Sequence, residues 1–380
     1  MQLSMRLLLL ALGVLLLASA VEVPASGMSD EETCAGTGTA DERMAACTRA
    51  IASGQLSTVA LAATYYNRGI AWIQKGDSDK AIADYNEAIR LNPQYALAYN
   101  NRGNAWQQKG DNGKAIADFN EAIRLSPHDA FAYYNRGIAW RNKGDYDKAI
   151  ADYKEAIRLN PQFAPAYYNR GDAWDQKGDN DKAIADYNEA IRLNPQYAPA
   201  YYNRGNAWKQ KGDNGKAIAD FNEAIRLNPH DAPAYFDRGI AWFNKGDFSS
   251  AASDITQSQQ LKPGTYTAIW LYLARTHSNS DAKTELTMDT RAMDGKKWPA
   301  PVVALYLGEA DSNTVISQAA DPDAQKHTEQ LCEANFYVGE WHLLRKEEQQ
   351  ARMFLTKAQN ECPKAFREYT GAVSELQRLK

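Results

Sequence analysis

A chain of 380 residues is longer than one ordinary hydrophobic core, so it must divide into domains or repeats. Its 43 Lys and Arg against 47 Asp and Glu leave a net charge of −4, which excludes the basic excess that a nucleic-acid backbone attracts. With 44% hydrophobic and 24% charged residues, disorder along the whole chain is excluded as well.

The chain opens with Arg6 ahead of an apolar run from Leu7 to Leu17, followed by the small residues Ala18-Ser19-Ala20. That is the pattern of a secretory signal peptide over 1–20, and the run is shorter than the roughly 20 apolar residues of a membrane span. The expected location is a periplasm, with secretion or anchoring by an uncleaved signal as alternatives. A second small-residue site, Ala25-Ser26-Gly27, leaves the cut point open. No Cys follows the apolar run closely enough for lipid attachment, and no later stretch is apolar enough to span a bilayer. Four cysteines, Cys34, Cys47, Cys332 and Cys362, form an even set that favours disulfides in an exported chain. There is no CxxC and no His at metal-ligand spacing, so neither metal nor cofactor is expected.

From residue 62 a period takes over. Asn-Arg-Gly recurs at 67–69, 101–103, 135–137, 169–171 and 203–205, with Asp237-Arg238-Gly239 as the sixth copy, each 34 residues on. Trp72, Trp106, Trp140, Trp174, Trp208 and Trp242 keep the step, as do an Ala row from Ala81 to Ala251 and a Pro row from Pro93 to Pro263. A period of this size marks stacked repeats. The six run 62–95, 96–129, 130–163, 164–197, 198–231 and 232–265, and 62–163 and 164–265 read as one three-repeat block copied twice. Each repeat holds two amphipathic runs, helix A and helix B. Lys-Gly-Asp between them suits a left-handed helix end followed by a capping residue. Asn-Pro stops helix B, and Pro165, Pro199 and Pro233 suit the first turn of the next helix A.

This register resembles the tetratricopeptide repeat. Tyr65 stands at the leading aromatic position, with Gly69, Trp72, Ala81, Tyr85 and Pro93 at the following signature positions, while Arg68 replaces the more usual Leu. The resemblance implies an all-α solenoid of antiparallel helix pairs wound as a right-handed superhelix, with helix A lining a concave groove.

Invariant rows are read as packing. Gly in mid-helix costs about 1 kcal/mol against Ala, so the row from Gly69 to Gly239 is expected where a neighbouring helix comes close. The Trp row and the row Tyr85, Phe119, Tyr153, Tyr187 and Phe221 are read as core. Arg68 and Asp84 recur together through Arg238 and Asp254, equidistant from the turn, and are read as an ion-pair ladder. Other rows vary. By the family pattern the residue after the leading aromatic faces the groove: Tyr66, Asn100, Tyr134, Tyr168, Tyr202 and Phe236. An amide row lies two turns on: Gln74, Gln108, Asn142, Gln176, Gln210 and Asn244. Between them polarity changes from copy to copy, with Ile70, Ile73, Asn104, Gln107, Arg141, Asp172, Asp175 and Lys209 among the substitutions. An aromatic stripe beside amides suits an extended protein or peptide segment, because rings bury area with few rotatable bonds and amides pair with peptide backbone. Arg141 and Lys209 stand apart, not as a carboxylate clamp.

The ends follow the same register. Ala46 to Ile51 resembles the middle of helix B, so 41–53 is read as a capping half repeat within 21–61, its loop to Tyr65 four residues longer than usual. Cys34 precedes it and is expected to close onto Cys47. After Pro263 the period lapses through 266–331, where Ala268–Ala274, Asp281–Met293, Pro301–Gly308 and Asp311–Ala319 read as helical. It returns at Gly339, Ala351, Ala358 and Pro363 as a seventh repeat, 332–365, with Lys346 in place of the turn Gly, and 366–380 reads as a capping helix. In that repeat Cys332 opens helix A and Cys362 closes helix B, so the two are expected to pair. The segments Trp270–Ala274, Leu305–Gly308 and Asn335–Gly339 resemble, in order, the C-terminal part of NlpI-type periplasmic lipoproteins. That resemblance implies an adaptor that scaffolds cell-wall hydrolases and presents them to a protease. The five histidines meet no Ser, Cys or carboxylate at a recurring spacing, and no hydrolase, zincin, dinucleotide or P-loop motif occurs. The expected function is a non-enzymatic scaffold binding client proteins or peptides, possible as a homo-oligomer. The alternative is a structural or secretion-complex subunit of the envelope, binding by its convex or C-terminal face.

Overall fold

The computed structural model describes residues 29–380 apart from 37, 292 and 296, so the signal segment and the Ala25-Ser26-Gly27 site lie outside it. The described residues form helices and no strand. They fall into two compact units that divide between Lys109 and Gly110.

The first unit holds α1 (Asp30–Ala35), α2 (Ala40–Ala52), α3 (Thr58–Gln74), α4 (Ser78–Leu91) and α5 (Ala96–Gln108). Both α1 and α2 open on a capping box, Ser29 with Glu32 and Thr39 with Glu42, so two backbone N–H groups are satisfied at each start. Cys34 and Cys47 are joined, their Cα atoms 4.8 Å apart, and both are buried. Helix α2 makes the contacts of a helix B: Lys75 reaches Asp41 as Lys109 reaches Asp79, over separations of 34 and 30 residues. The four extra residues are the longer loop before α3. In the hairpin of α3 and α4, Gly76 sits at φ +77°, a left-handed angle that L side chains avoid. Asp77 then caps α4 by accepting from the Lys80 N–H at 3.0 Å. Arg68 donates from Nε and Nη2 to both oxygens of Asp84, at 2.8 and 2.7 Å.

In the second unit α6 (Asn112–Leu125) precedes four hairpins. These are α7 (Ala130–Asn142) with α8 (Tyr146–Leu159), α9 (Ala164–Gln176) with α10 (Asn180–Leu193), α11 (Ala198–Gln210) with α12 (Asn214–Leu227), and α13 (Ala232–Lys245) with α14 (Phe248–Leu261). The ladder continues as Arg136–Asp152, Arg170–Asp186, Arg204–Asp220 and Arg238–Asp254, all bidentate at 2.6–2.8 Å. The glycine row is explained by contact: a Cβ on Gly137, Gly171 or Gly205 would lie 2.7–2.8 Å from the ring of Tyr153, Tyr187 or Phe221. The tryptophans differ from expectation. They are half-buried, because one face of Trp140, Trp174 and Trp208 is roofed by Lys148, Lys182 and Lys216, whose Nζ atoms lie 4.1–4.3 Å from the ring centres.

Beyond the repeats come α15 (Thr265–His277), α16 (Lys283–Asp289), α17 (Ala300–Leu307), α18 (Ser312–Gln318), α19 (Ala324–Leu344), α20 (Glu348–Glu361) and α21 (Arg367–Arg378). Their core is aromatic, built on Trp270, Tyr306, Phe336 and Tyr337. Cys332 and Cys362 are joined, with Cα atoms 4.9 Å apart. Cys332 does not open its helix. Asp323 accepts from the N–H groups of Gln325 and Lys326, and this cap starts α19 at Ala324, so Cys332 lies inside a 21-residue helix. Lys346 keeps the turn despite its side chain, at φ +61°.

The glycine contact generates the first test. Gly215 lies in α12, where an added methyl would meet nothing nearer than 3.6 Å, whereas a methyl on Gly205 would meet Phe221 at 2.8 Å. Gly215→Ala should raise stability by up to about 1 kcal/mol through helix propensity. Gly205→Ala should lower it by about 1–3 kcal/mol through overpacking. Melting temperatures of the two variants check this, and equal gains would mean that the Phe221 ring is not held where described.

Candidate functional site

The groove face of the first unit is built by α3 and α5. Ile70 and Ile73 supply an apolar floor, Asn104, Gln107 and Gln108 an amide rim, and with Tyr85 and Asn101 they line a cavity of about 370 Å³. Tyr66 stands beside it, half-buried, its ring centre 4.9 Å from that of Tyr95. Asn101 Nδ2 donates to the Tyr66 hydroxyl at 3.0 Å. Gln74 is exposed, and exposed Gln108 accepts from Ser78 Oγ at 2.9 Å. Asn100 departs from expectation: it is 8% exposed, so it belongs to the packing between repeats and leaves a gap in the aromatic stripe.

In the second unit the stripe has a double role. Asn169 donates to the hydroxyl of Tyr134 at 2.9 Å and Asn203 to that of Tyr168 at 3.0 Å, each across a repeat boundary. The ring of Tyr134 rests 4.8 Å from Phe163, and that of Tyr168 rests 4.9 Å from Tyr197. These half-buried tyrosines therefore stitch successive helices A together. Arg141 is not isolated. Its Nη1 reaches Asn169 Oδ1 at 2.7 Å and Asp172 Oδ2 at 3.1 Å. Asp175 Oδ1 is buried with no hydrogen-bond partner among the described residues. Burial, and then the charge of Asp172, push its carboxyl up to about 6. Of the amide row, Asn142 and Gln176 are exposed and Gln210 is half-buried.

At the last repeat the groove is filled from within. Helix α21 lies on α13: Arg367 Nε donates to Asp237 Oδ1 at 3.1 Å with its guanidinium 4.9 Å from the centre of Phe236. Asn244 Nδ2 donates to Thr370 Oγ1 at 3.3 Å, and Arg378 Nη1 to the Asn244 carbonyl at 2.9 Å. Phe236, Lys209 and Asn244 are consequently buried, which corrects their assignment to an open surface. Lys209 Nζ lies 2.7 Å from Asp237 Oδ1, and Tyr202 donates to Asp237 Oδ2 at 2.7 Å. Burial works against the charge on Asp237, but Lys209 and Arg367 outweigh it and hold the carboxyl well below the usual range. Asp237, Arg367 and Thr370 are site residues that the sequence pattern did not single out. One signal existed, since Asp237 is the single break in the Asn row.

The described residues offer one cluster with metal-ligand chemistry, His277, Glu340 and Glu375. It is internally paired: His277 Nε2 lies 2.9 Å from Glu340 Oε2, and Arg378 holds Glu375. This pairing also shows that His277 does meet a carboxylate, at a separation with no periodic signature.

The tetratricopeptide repeat model matches residues 96–129, 130–163 and 198–231, and a second TPR repeat model matches 69–110 and 176–212. The repeats of this chain are tetratricopeptide repeats. Such repeats are generally non-catalytic scaffolds that bind proteins or peptides. Among solved structures, MamA is 30% identical over 43% of this chain and 96% of its own, with a TM-score of 0.41. YrrB, described as a TPR protein with an unusual peptide-binding site, is 21% identical over 48% and 94%, with a TM-score of 0.43. The Pseudomonas aeruginosa pilF protein is 18% identical over 54% and 94%, with a TM-score of 0.49. No curated protein matches the chain. No helix among the described residues is long and apolar enough to cross a membrane.

Two tests follow from the charges. Asp237→Asn restores the residue of the other repeats yet should destabilise by about 3–5 kcal/mol, because it leaves Lys209 buried without its acid. Adding Lys209→Met should recover much of that loss, and denaturation midpoints of the single and double variants read it. Asp175 works in the opposite sense. Its carboxyl, held up at about 6 in the fold against the ordinary value near 4, stabilises at low pH and that contribution is lost as pH rises through about 6. Asp175→Asn should therefore gain on the wild type as pH rises from about 4 to about 6 and keep that advantage at higher pH, by about 1–2 kcal/mol after allowing for partial solvent screening. Melting temperature against pH for both proteins checks the sign.

Proposed function

We propose that this chain is an exported, non-catalytic scaffold of a bacterial cell envelope that holds an extended segment of a client protein against its helix A face. The observation that carries this reading is the cavity of about 370 Å³ in the first repeats, where variable positions of two successive helices A, Ile70 and Ile73 with Asn104, Gln107 and Gln108, face one space. Apolar floor and amide rim are the two chemistries an extended peptide needs, one for a side chain and one for its backbone. Export rests on the signal pattern of 1–20 and agrees with the absence of free cysteines among the described residues. The resemblance of Trp270–Ala274, Leu305–Gly308 and Asn335–Gly339 to NlpI-type adaptors supports cell-wall hydrolases or their proteases as the client class.

The test is a pull-down from envelope extract with wild type and with Ile70→Glu/Ile73→Glu, which charges the cavity floor and leaves Gly69 and Tyr85 themselves unchanged. A soluble client retained by the wild type and weakened at least about tenfold by the variant, with helicity unchanged, is the expected result. Equal retention by both moves the binding surface to the C-terminal helices. Recovery of a stable membrane assembly in place of a soluble client would favour the role of a structural or secretion-complex subunit.

A further inference from the structure

A second cavity, of about 380 Å³, opens among α13, α15, α19 and α21. Its walls are the rings of Phe236, Tyr266, Trp270 and Phe366, and three charged side chains, Glu333, Arg367 and Glu368, complete them. The charges are unevenly matched. Arg367 is committed to Asp237 and stacked on Phe236. Glu368 accepts from the Tyr337 hydroxyl at 2.8 Å. Glu333 receives only neutral donors, both on Oε2: Tyr266 Oη at 2.8 Å and Trp298 Nε1 at 2.6 Å. Among the described residues no cation forms an ion pair with it. Tyr266, by contrast, remains 38% exposed, so the cavity is open to solvent at that wall.

A half-buried carboxylate without a counter-ion is costly, and the cost is recovered when a cation is bound beside it. Aromatic faces add attraction for an organic cation that they would not give a hydrated metal ion. We propose that this cavity is a binding site for an alkylammonium or guanidinium group, with Glu333 as the counter-ion and Tyr266 as an aromatic wall. Burial and the neighbouring Glu368 and Glu329 push the Glu333 carboxyl up to about 7, the behaviour of an acid lacking its cation. The same chemistry could arrive as a Lys or Arg side chain of a bound protein segment or as a free amine. The site is built from residues of the second unit alone, so it stands or falls independently of the cavity lined by Ile70 and Ile73.

Calorimetric titration of the full mature chain distinguishes these sources. The probes are cadaverine, the blocked tripeptide acetyl-Gly-Lys-Gly-amide, and its norleucine counterpart. Both cations should bind while the norleucine peptide, equal in shape and without charge, should bind at least about tenfold more weakly than the lysine peptide. Glu333→Gln keeps an acceptor for Tyr266 and Trp298 and should weaken the cations by at least about tenfold. Tyr266→Leu, read in parallel, should weaken them about two- to fivefold and keeps the experiment decisive if the first variant fails to fold. Tighter binding of the lysine peptide than of cadaverine assigns the site to a protein side chain, and the reverse order assigns it to a free amine. Equal affinity of the lysine and norleucine peptides, no cation binding at millimolar concentration, or unchanged binding by folded Glu333→Gln would overturn the proposal.

Discussion

The contact on which the repeats depend is the one between a mid-helix glycine and the ring sixteen residues later. At Gly69 and Tyr85 the clearance is so small that a single methyl would lie 2.5 Å from a ring carbon. No other residue allows the two helices of a hairpin to approach this closely, and their separation fixes the reach of every other pair. The Arg68–Asp84 bridge is bidentate because the hairpin delivers both side chains at one height. Where the ring is replaced by an aliphatic side chain, as at Gly239 with Ile255 and Gly339 with Leu355, the same close approach is kept.

A second layer of bonds ties one repeat to the next, and it uses the surface that binding would use. Tyr134 and Tyr168 bond forward to Asn169 and Asn203, Arg141 to Asn169 and Asp172, and Lys177 back to Asp147. The groove face is thus partly structural. A partner gains a rigid, preorganised surface, while the array gives up some freedom to vary the aromatic positions. Variation concentrates at the column of Ile70, Asn104 and Asp172, which carries no stitch common to all copies; the Arg141–Asp172 bond is particular to its pair of repeats.

Much of the fold was legible in the sequence because its determinants are short in range and repeated. The turn glycines, the capping Asp77, the Gly row and the Arg–Asp pairs recur with one spacing, and each copy reinforces the reading of the others. What escaped notice joins distant segments once only. Arg367 meets Asp237 across 130 residues and Arg378 meets Asn244 across 134, and no periodicity announces either. The side chains around Glu333 come from α15, the segment before α17, and α19 in the same way. The expectation that Cys332 begins a helix missed for a local reason, since Asp323 supplies a cap well upstream of the register boundary.

The docking of α21 has a consequence for how such an array can change in length. Interior hairpins meet their neighbours through nearly interchangeable surfaces, so a copy inserted among them finds suitable faces on both sides. The sixth copy differs, because Asp237 is matched to Lys209 on one side and to Arg367 on the other. A copy added after it would part that acid from the terminal helix, and one added immediately before it would part the acid from Lys209. Growth and shrinkage are therefore confined to the copies before the last two hairpins, which travel with the terminal helix as a fixed end piece.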